Sequence, residues 1–202
     1  MHVLLRVDMA AKCCSWEAIP AQLEGMGGRG FVSAILTQEV PPACHPLGPQ
    51  NKLVFSPGLL GASTVRAQNR LCFGCKSPVT GSIKSAISGR LAANYLAETG
   101  IAGIIVENHA SEGMLLQLEI RQNSAELVPS PVAGLGNIEA MARLEQQYGN
   151  NAAYIVVGPA GENQVPLANI AFSETNEIRY AGQDGLGAVM AAMRLKSIVV
   201  FP

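Results

Sequence analysis

The chain has 202 residues, of which 49% are hydrophobic and only 14% charged, with a formal net charge of -1. Near-neutral charge, 5% aromatics and no basic run argue against a nucleic-acid footprint, and no apolar stretch reaches the roughly 18 residues of a membrane span. Soluble domains carry roughly 25% charged residues, so one face of this chain is expected to lie against a partner or against further domains of a larger enzyme.

In chain order, "HVLLRVD" and "KCCSWEAI" flank a short "MAA" and predict an N-terminal hairpin. "GMGGRG" leads into "FVSAILTQEV", where Phe31, Val32, Ile35 and Leu36 give helical spacing that Pro41 and Pro42 end. "NKLVF" and "NRLCFGCK" read as buried strands, "SGRLAANYLAET" as a helix beginning at a Ser-Gly turn, and "IAGIIVE" as another buried strand. "MLLQLEIRQNSAELV" predicts a second hairpin, and "NIEAMARLEQQYG" an amphipathic helix closed by Gly149. "AAYIVV" and "VPLANIAF" are strands. "RYAGQDGLGAVMAAMRLKSIVV" supplies a glycine turn, a last helix and a last strand.

Residues of roughly 50–107 and 152–202 follow one plan: strand, small-Pro-small turn (Ser56-Pro57-Gly58, Gly158-Pro159-Ala160), strand, glycine turn, helix, strand. Identity between the halves is low, so the likeness is architectural, and chance is the alternative. If the repeat is real, the domain has pseudo-twofold symmetry. A ligand at the axis would then meet two glycine-led helix starts, each with unpaired N–H groups and a positive dipole end.

Candidate sites are few. Cys72-Phe73-Gly74-Cys75 is a C-x-x-C, the form of a redox pair or half a zinc site. It lies inside a strand pattern, where residues three apart point to opposite faces, so a core role is favoured. His2, His45 and His109 show no ligand spacing. There is no nucleophile elbow, no Walker lysine and no carboxylate pair. An odd count of five cysteines, with Cys13 and Cys14 adjacent, argues against a disulfide framework. "MHVLLRVDMAAKCCSWE" lacks the pattern of a signal peptide. A cytoplasmic protein is expected. On spacing alone, "GQDGLG" is open to a phosphate-binding or a close-packing reading.

Four segments then carry a family likeness: "GMGGRGFVSAILTQEVPPACHPLGPQNKLVFSPGLLGAS", "NRLCFGCKSPVTGSIKSAISGRL", "IVVGPAGENQVPLANIAF" and "AGQDGLGAVMAAMRLKSIVV". In order and spacing they resemble the N-terminal domain of aldehyde ferredoxin oxidoreductases, tungsten enzymes with a bis-pterin cofactor and an iron–sulfur cluster. The resemblance implies an α+β fold of two related sheet-plus-helix halves with pseudo-twofold symmetry, in one domain over 1–202. It implies that the domain is a base for a tungsten or molybdenum bis-pterin. The activity implied is aldehyde to carboxylate, with electrons passing to ferredoxin through a cluster whose cysteines this chain does not carry.

By the same resemblance, the arginine between cofactor and cluster falls on Arg70. The first pterin-contacting turn falls on Ile87, Ser88, Gly89 and Arg90, and the second on Arg179 through Gly185, including Tyr180, Gly182 and Gly185. The bridging magnesium would take the backbone carbonyls of Ile87 and Tyr180. Two departures stand out: Ile87 replaces the usual Asn, and Gln183-Asp184 replaces Arg-Gly, so that Asp184 would set a negative charge beside a phosphate. No residue here is expected to be catalytic, and the isolated chain is expected to be inactive. The partners implied are the remaining domains of the enzyme, or a second copy of this chain if it is instead a non-catalytic binding or dimerisation module that has lost the cofactor.

Overall fold

The computed structural model describes residues 3–59, 69–111 and 113–202. A hairpin of β1 (Val3–Asp8) and β2 (Cys13–Ala18) opens the chain. Its turn is closed by Asp8 Oδ1, which accepts from the N–H groups of Ala10 and Ala11, each at 2.9 Å. Helix α1 (Gly28–Glu39) follows, then β3 (Lys52–Pro57), β4 (Leu71–Lys76), β5 (Ile83–Ser88), α2 (Arg90–Glu98) and β6 (Ile101–Glu107). The rest of the chain forms β7 (Leu116–Arg121), β8 (Ser124–Pro129), α3 (Asn137–Tyr148), β9 (Ala153–Val157) and α4 (Pro159–Glu162). It ends with β10 (Ile170–Ser173), β11 (Ile178–Ala181), α5 (Leu186–Ala192) and β12 (Leu195–Val200).

These strands form two six-stranded sheets, in the orders β2-β1-β6-β3-β4-β5 and β8-β7-β12-β9-β10-β11. Position by position the second repeats the first. The β1–β6 and β7–β12 pairs are parallel and the rest antiparallel. Even the irregularity recurs: β6 passes over Ala102 between two paired residues, and β12 passes over Lys196. The repeat therefore takes in both hairpins and both outer helices. The halves read from the sequence, 50–107 and 152–202, omit them because hairpin and helix sequences share no motif.

The main core lies between the sheets. There Leu53 and Phe55 of the first sheet and Ile155 and Phe172 of the second close over α2 (Ala92, Ala93, Leu96) and α5 (Val189, Met190, Met193). Alternate residues face outward. Val54, Cys72 and Ile105 meet α1, while Val156, Ala171 and Val199 meet α3. Because both faces of each sheet are covered, central strands read as continuous apolar runs instead of alternating ones. Burial of this kind is the dominant favourable term in folding. Among the described residues no helix is long and apolar enough to cross a membrane.

The structure departs from the predicted elements at β5, β11 and α4, which the sequence reading leaves as turns. Edge strands such as "IKSAIS" and "IRYA" are half-exposed and mix polar with apolar residues, so they lack the signal of their central neighbours. Of "VPLANIAF", only the end is strand: Pro166 lacks the N–H a ladder needs, and Val165–Asn169 form a turn before β10. The motif "PPACHPLGPQNK" is explained by packing. The Asn51 carboxamide donates to Pro46 O at 2.6 Å and Lys76 O at 2.9 Å, and accepts from Lys76 N at 3.0 Å. Buried Lys76 in turn donates to the carbonyls of Pro42 and Cys44.

Candidate functional site

The strands the sequence hid are the ones that build the site. β5 and β11 are the outer strands at matching ends of their sheets, and they pack against each other. Ile87 pairs with Cys72 and Ser88 with Leu71, while Tyr180 pairs with Ala171 and Ala181 with Ile170. By this register Ile87 and Tyr180 are equivalent residues of the two halves. Both are exposed, by 41% and 49%.

A glycine follows each strand by the same interval, Gly89 at φ 67° and Gly182 at φ 91°, a backbone region that favours glycine. Gly89 caps α2 and supplies its first carbonyl, to Ala93 N at 2.9 Å, whereas the Gly182 carbonyl accepts from Leu186 N at 3.2 Å in the turn before α5, which Gly185 caps. A side chain would clash at Gly89 and be tight at Gly182. A Cβ on Gly89 would stand 2.7 Å from Phe172, and one on Gly182 would stand 3.2 Å from Phe73. Phe73 and Phe172 are themselves register-equivalent. Reciprocal contact of this kind, each half's phenylalanine on the other half's glycine, is the signature of a twofold relation.

Between the two turns lies a cleft of about 310 Å³ that brings together Arg70, Ile87, Ser88, Gly89, Arg179 and Tyr180. Arg90 joins them. So do Glu174 and Glu177, two carboxylates of the β10–β11 turn that the sequence reading did not select; in "SETNE" they look like ordinary loop acids, and no local signal marks them. Glu174 Oε1 accepts from the backbone N–H of Arg90 at 2.7 Å, and its Oε2 lies 3.9 Å from Arg90 Nε. The Glu174 side chain is only 6% exposed, against 57% for Arg90. Arg179 pairs with Glu177 at 2.6 Å on the exposed rim.

Gly182 and Gly185 do not line the cleft. Gly185 is pressed under the Pro166 carbonyl and the Pro78 ring, so close packing accounts for this glycine of "GQDGLG". Asp184, expected beside a phosphate, is not among the lining residues either. Its carbonyl accepts from Ser77 Oγ at 2.6 Å, which fastens the "KSP" loop of one half to the helix start of the other. The acids that face the cleft are Glu174 and Glu177 instead, because the β10–β11 turn reaches across the axis.

Cys72 packs outward against α1 and Cys75 inward between the sheets, on opposite faces as strand geometry requires. Burial pushes both thiols above the ordinary value, which is the environment of an inert structural cysteine. His45 Nδ1 accepts from Leu47 N at 3.2 Å, and His2 lies outside the described residues. Among the described residues no group of three or more His, Cys, Asp or Glu could hold a metal ion. The groups suited to a phosphorylated cofactor are therefore the three arginines, the helix start at Arg90 and the edge-strand backbone at Ile87 and Tyr180. They fit such a group in charge and symmetry, with the carboxylates of Glu174 and Glu177 as the opposing features.

The model of the family described as "Aldehyde ferredoxin oxidoreductase, N-terminal domain" matches residues 4–201. The chain is 34% identical over 200 residues to a tungsten-containing aldehyde ferredoxin oxidoreductase of Thermococcus kodakarensis, covering 97% of this chain and 32% of that protein. It is 35% identical over 200 residues to the same-named protein of Pyrococcus horikoshii, covering 98% and 32%. Among solved structures, it is similar to the active-site complex BamBC of benzoyl coenzyme A reductase in complex with 1,5 dienoyl-CoA. That match has a TM-score of 0.90 at 28% identity, and covers 98% of this chain and 30% of the other. The chain thus spans about a third of the length of the relatives it matches.

Proposed function

The chain belongs to the aldehyde ferredoxin oxidoreductase family, as its N-terminal domain, and on that premise we propose that it is the base on which a tungsten or molybdenum bis-pterin is held. The observation that carries this reading is the equivalence of Ile87 and Tyr180, two exposed residues in matching register at one cleft edged by Arg70, Arg90 and Arg179. Arg70 and Arg179 would balance the pterin phosphates, and the carbonyls of Ile87 and Tyr180 would each give a magnesium ion one oxygen, the donor such a hard cation prefers. Gly89, left-handed and closed over by Phe172, lets the backbone approach without a side chain in the way. Bound pterin dithiolenes would supply the metal-centred redox chemistry; the residues of this chain bind and orient.

The reaction we assign to the whole enzyme is aldehyde to carboxylate. Electrons would leave for ferredoxin through an iron–sulfur cluster held by other domains, in the cytoplasm. The likeness to a benzoyl coenzyme A reductase complex means that such a base does not dictate the substrate, which belongs to the rest of the enzyme. The test is metal and pterin analysis of the longer protein that carries this chain. Tungsten or molybdenum with two pterins per chain is expected, falling severalfold in a double Arg70→Ala, Arg179→Ala variant. Full-length protein that purifies without pterin, and gains none on supply, would sink the reading. The isolated chain should show no aldehyde-dependent dye reduction.

Glu174 favours a second reading, a binding or self-dimerising module without cofactor, because its carboxylate stands on the helix start where a phosphate would go. A monodisperse dimer free of pterin would select it.

A further inference from the structure

Of the two glycine-led helix starts, that of α2 lines the cleft, and it already carries an anion. Glu174 rides on the turn joining β10 to β11, where its N–H donates to Glu177 O at 2.9 Å, and it belongs to the second half of the chain. Its carboxylate crosses the axis to the first half and caps Arg90 N at 2.7 Å. The equivalent loop of the first half offers no such group. There Ser77, a neutral hydroxyl, donates to Asp184 O. The symmetry of the fold is thus broken in charge. The Glu174 side chain is only 6% exposed, and its partners are the N–H of Arg90 at 2.7 Å and the Arg90 guanidinium at 3.9 Å, the same groups an incoming phosphate would use.

We propose that Glu174 is a resident anion of the cleft: a phosphate group binds at the start of α2 only by displacing the Glu174 carboxylate from Arg90 N. This rests on the reading of the cleft as a phosphate site, and makes Glu174 the residue that sets the affinity of that site. Displacement needs only rotation of the Glu174 side chain, which leaves the register of β10 and β11 untouched because Glu174 lies beyond their last pair, Ser173 and Ile178.

The test is titration of the chain with inorganic pyrophosphate at low salt, followed by the amide resonance of Arg90. Glu174→Gln keeps shape and an acceptor but removes the charge, and it should bind about ten-fold tighter than wild type, the loss of one competing charge-assisted hydrogen bond. The Arg90 amide should move at correspondingly lower concentration. Glu174→Ala should do the same, and unchanged spectra elsewhere check that both variants fold. Equal affinities, no binding by any form, or binding that leaves the Arg90 amide still would each overturn the proposal. Metal and pterin content of the full enzyme separates the two ideas. Loaded enzyme with equal pyrophosphate affinities sinks only the role of Glu174. Tighter binding by Glu174→Gln in an enzyme without pterin sinks only the cofactor.

Discussion

Phe73 and Phe172 hold the same register position in the two sheets and meet between them, ring centroids 5.0 Å apart and planes tilted by 46°. Each ring also closes over the turn glycine of the other half, so this pair sets the spacing of the two glycine turns. Phe172→Ala should cost about 3–5 kcal/mol in urea unfolding, as buried aromatic truncations do. Gly89→Ala should lose at least about 1 kcal/mol from its left-handed backbone alone, and Phe172→Leu in the same chain should recover part of the loss. Additive effects would mean that the ring and the glycine do not share one space.

Lys196, fully buried, donates to Leu135 O at 2.9 Å and pairs with Glu162 of "GPAGEN". Glu162 also accepts from Gly134 N at 3.1 Å, so it ties the loop before α3 to β12. Glu162→Ala strands a buried ammonium and should destabilise by about 3 kcal/mol. Lys196→Met should cost less, because the Glu162 carboxylate is 17% exposed and can turn to water. The reverse order in denaturant midpoints would reject this account.

Arg6 joins Glu17, Glu39 and Glu107 on the outer face of the first sheet, and Lys52 pairs with the last two. Burial by itself raises the Glu39 carboxyl, but hydrogen bonds and charge from Arg6 and Lys52 more than reverse this and hold it below the ordinary value. With the folded pKa below the unfolded one, near 4.3, the stabilisation is complete above that value and is lost as pH falls through the folded pKa. Urea midpoints of wild type should therefore drop more steeply than those of Glu39→Gln on acidification from about pH 5 to pH 3. Parallel curves would count against the network.

Arg194 sits at φ 71° just past Met193, the C-cap of α5, where the first half has Gly100 at φ 78° just past Thr99, the C-cap of α2. A left-handed residue other than glycine is strained, so Arg194→Gly should be neutral or stabilising by up to about 1 kcal/mol, whereas Gly100→Ala should destabilise by a similar amount. Thermal unfolding of the two variants checks the pair, and a clear loss of stability in Arg194→Gly would show a side-chain role.

What could be read along the chain depended on covering. "KLVF", "IAGIIVE" and "SIVV" declare themselves because helices or a second sheet cover both faces of those strands. The strands β5 and β11 did not, since an edge strand half in water needs no apolar run. Only half of each structural repeat was legible for the same reason: the central strands and glycine turns are constrained by packing at the axis, while the hairpins and outer helices need only an apolar face. The resemblance located Arg70, Ile87, Ser88, Gly89, Arg179 and Tyr180, and the fold brings all six to one cleft. For Gly182 and Gly185 it did not separate facing the cleft from packing beneath it.

The sequence by itself revealed an internal repeat, because local patterns of burial and turn chemistry carry that information over short spans, and its motifs revealed the family and the α+β class by resemblance. Tertiary structure alone decided which acids face the cleft. Asp184, within the second turn, does not line the cleft, and its carbonyl is held by Ser77. Glu174, 84 residues from Arg90 along the chain, reaches its N–H across the axis. Contacts between register-equivalent edges of two sheets depend on how the halves dock, and no span of neighbouring residues encodes that.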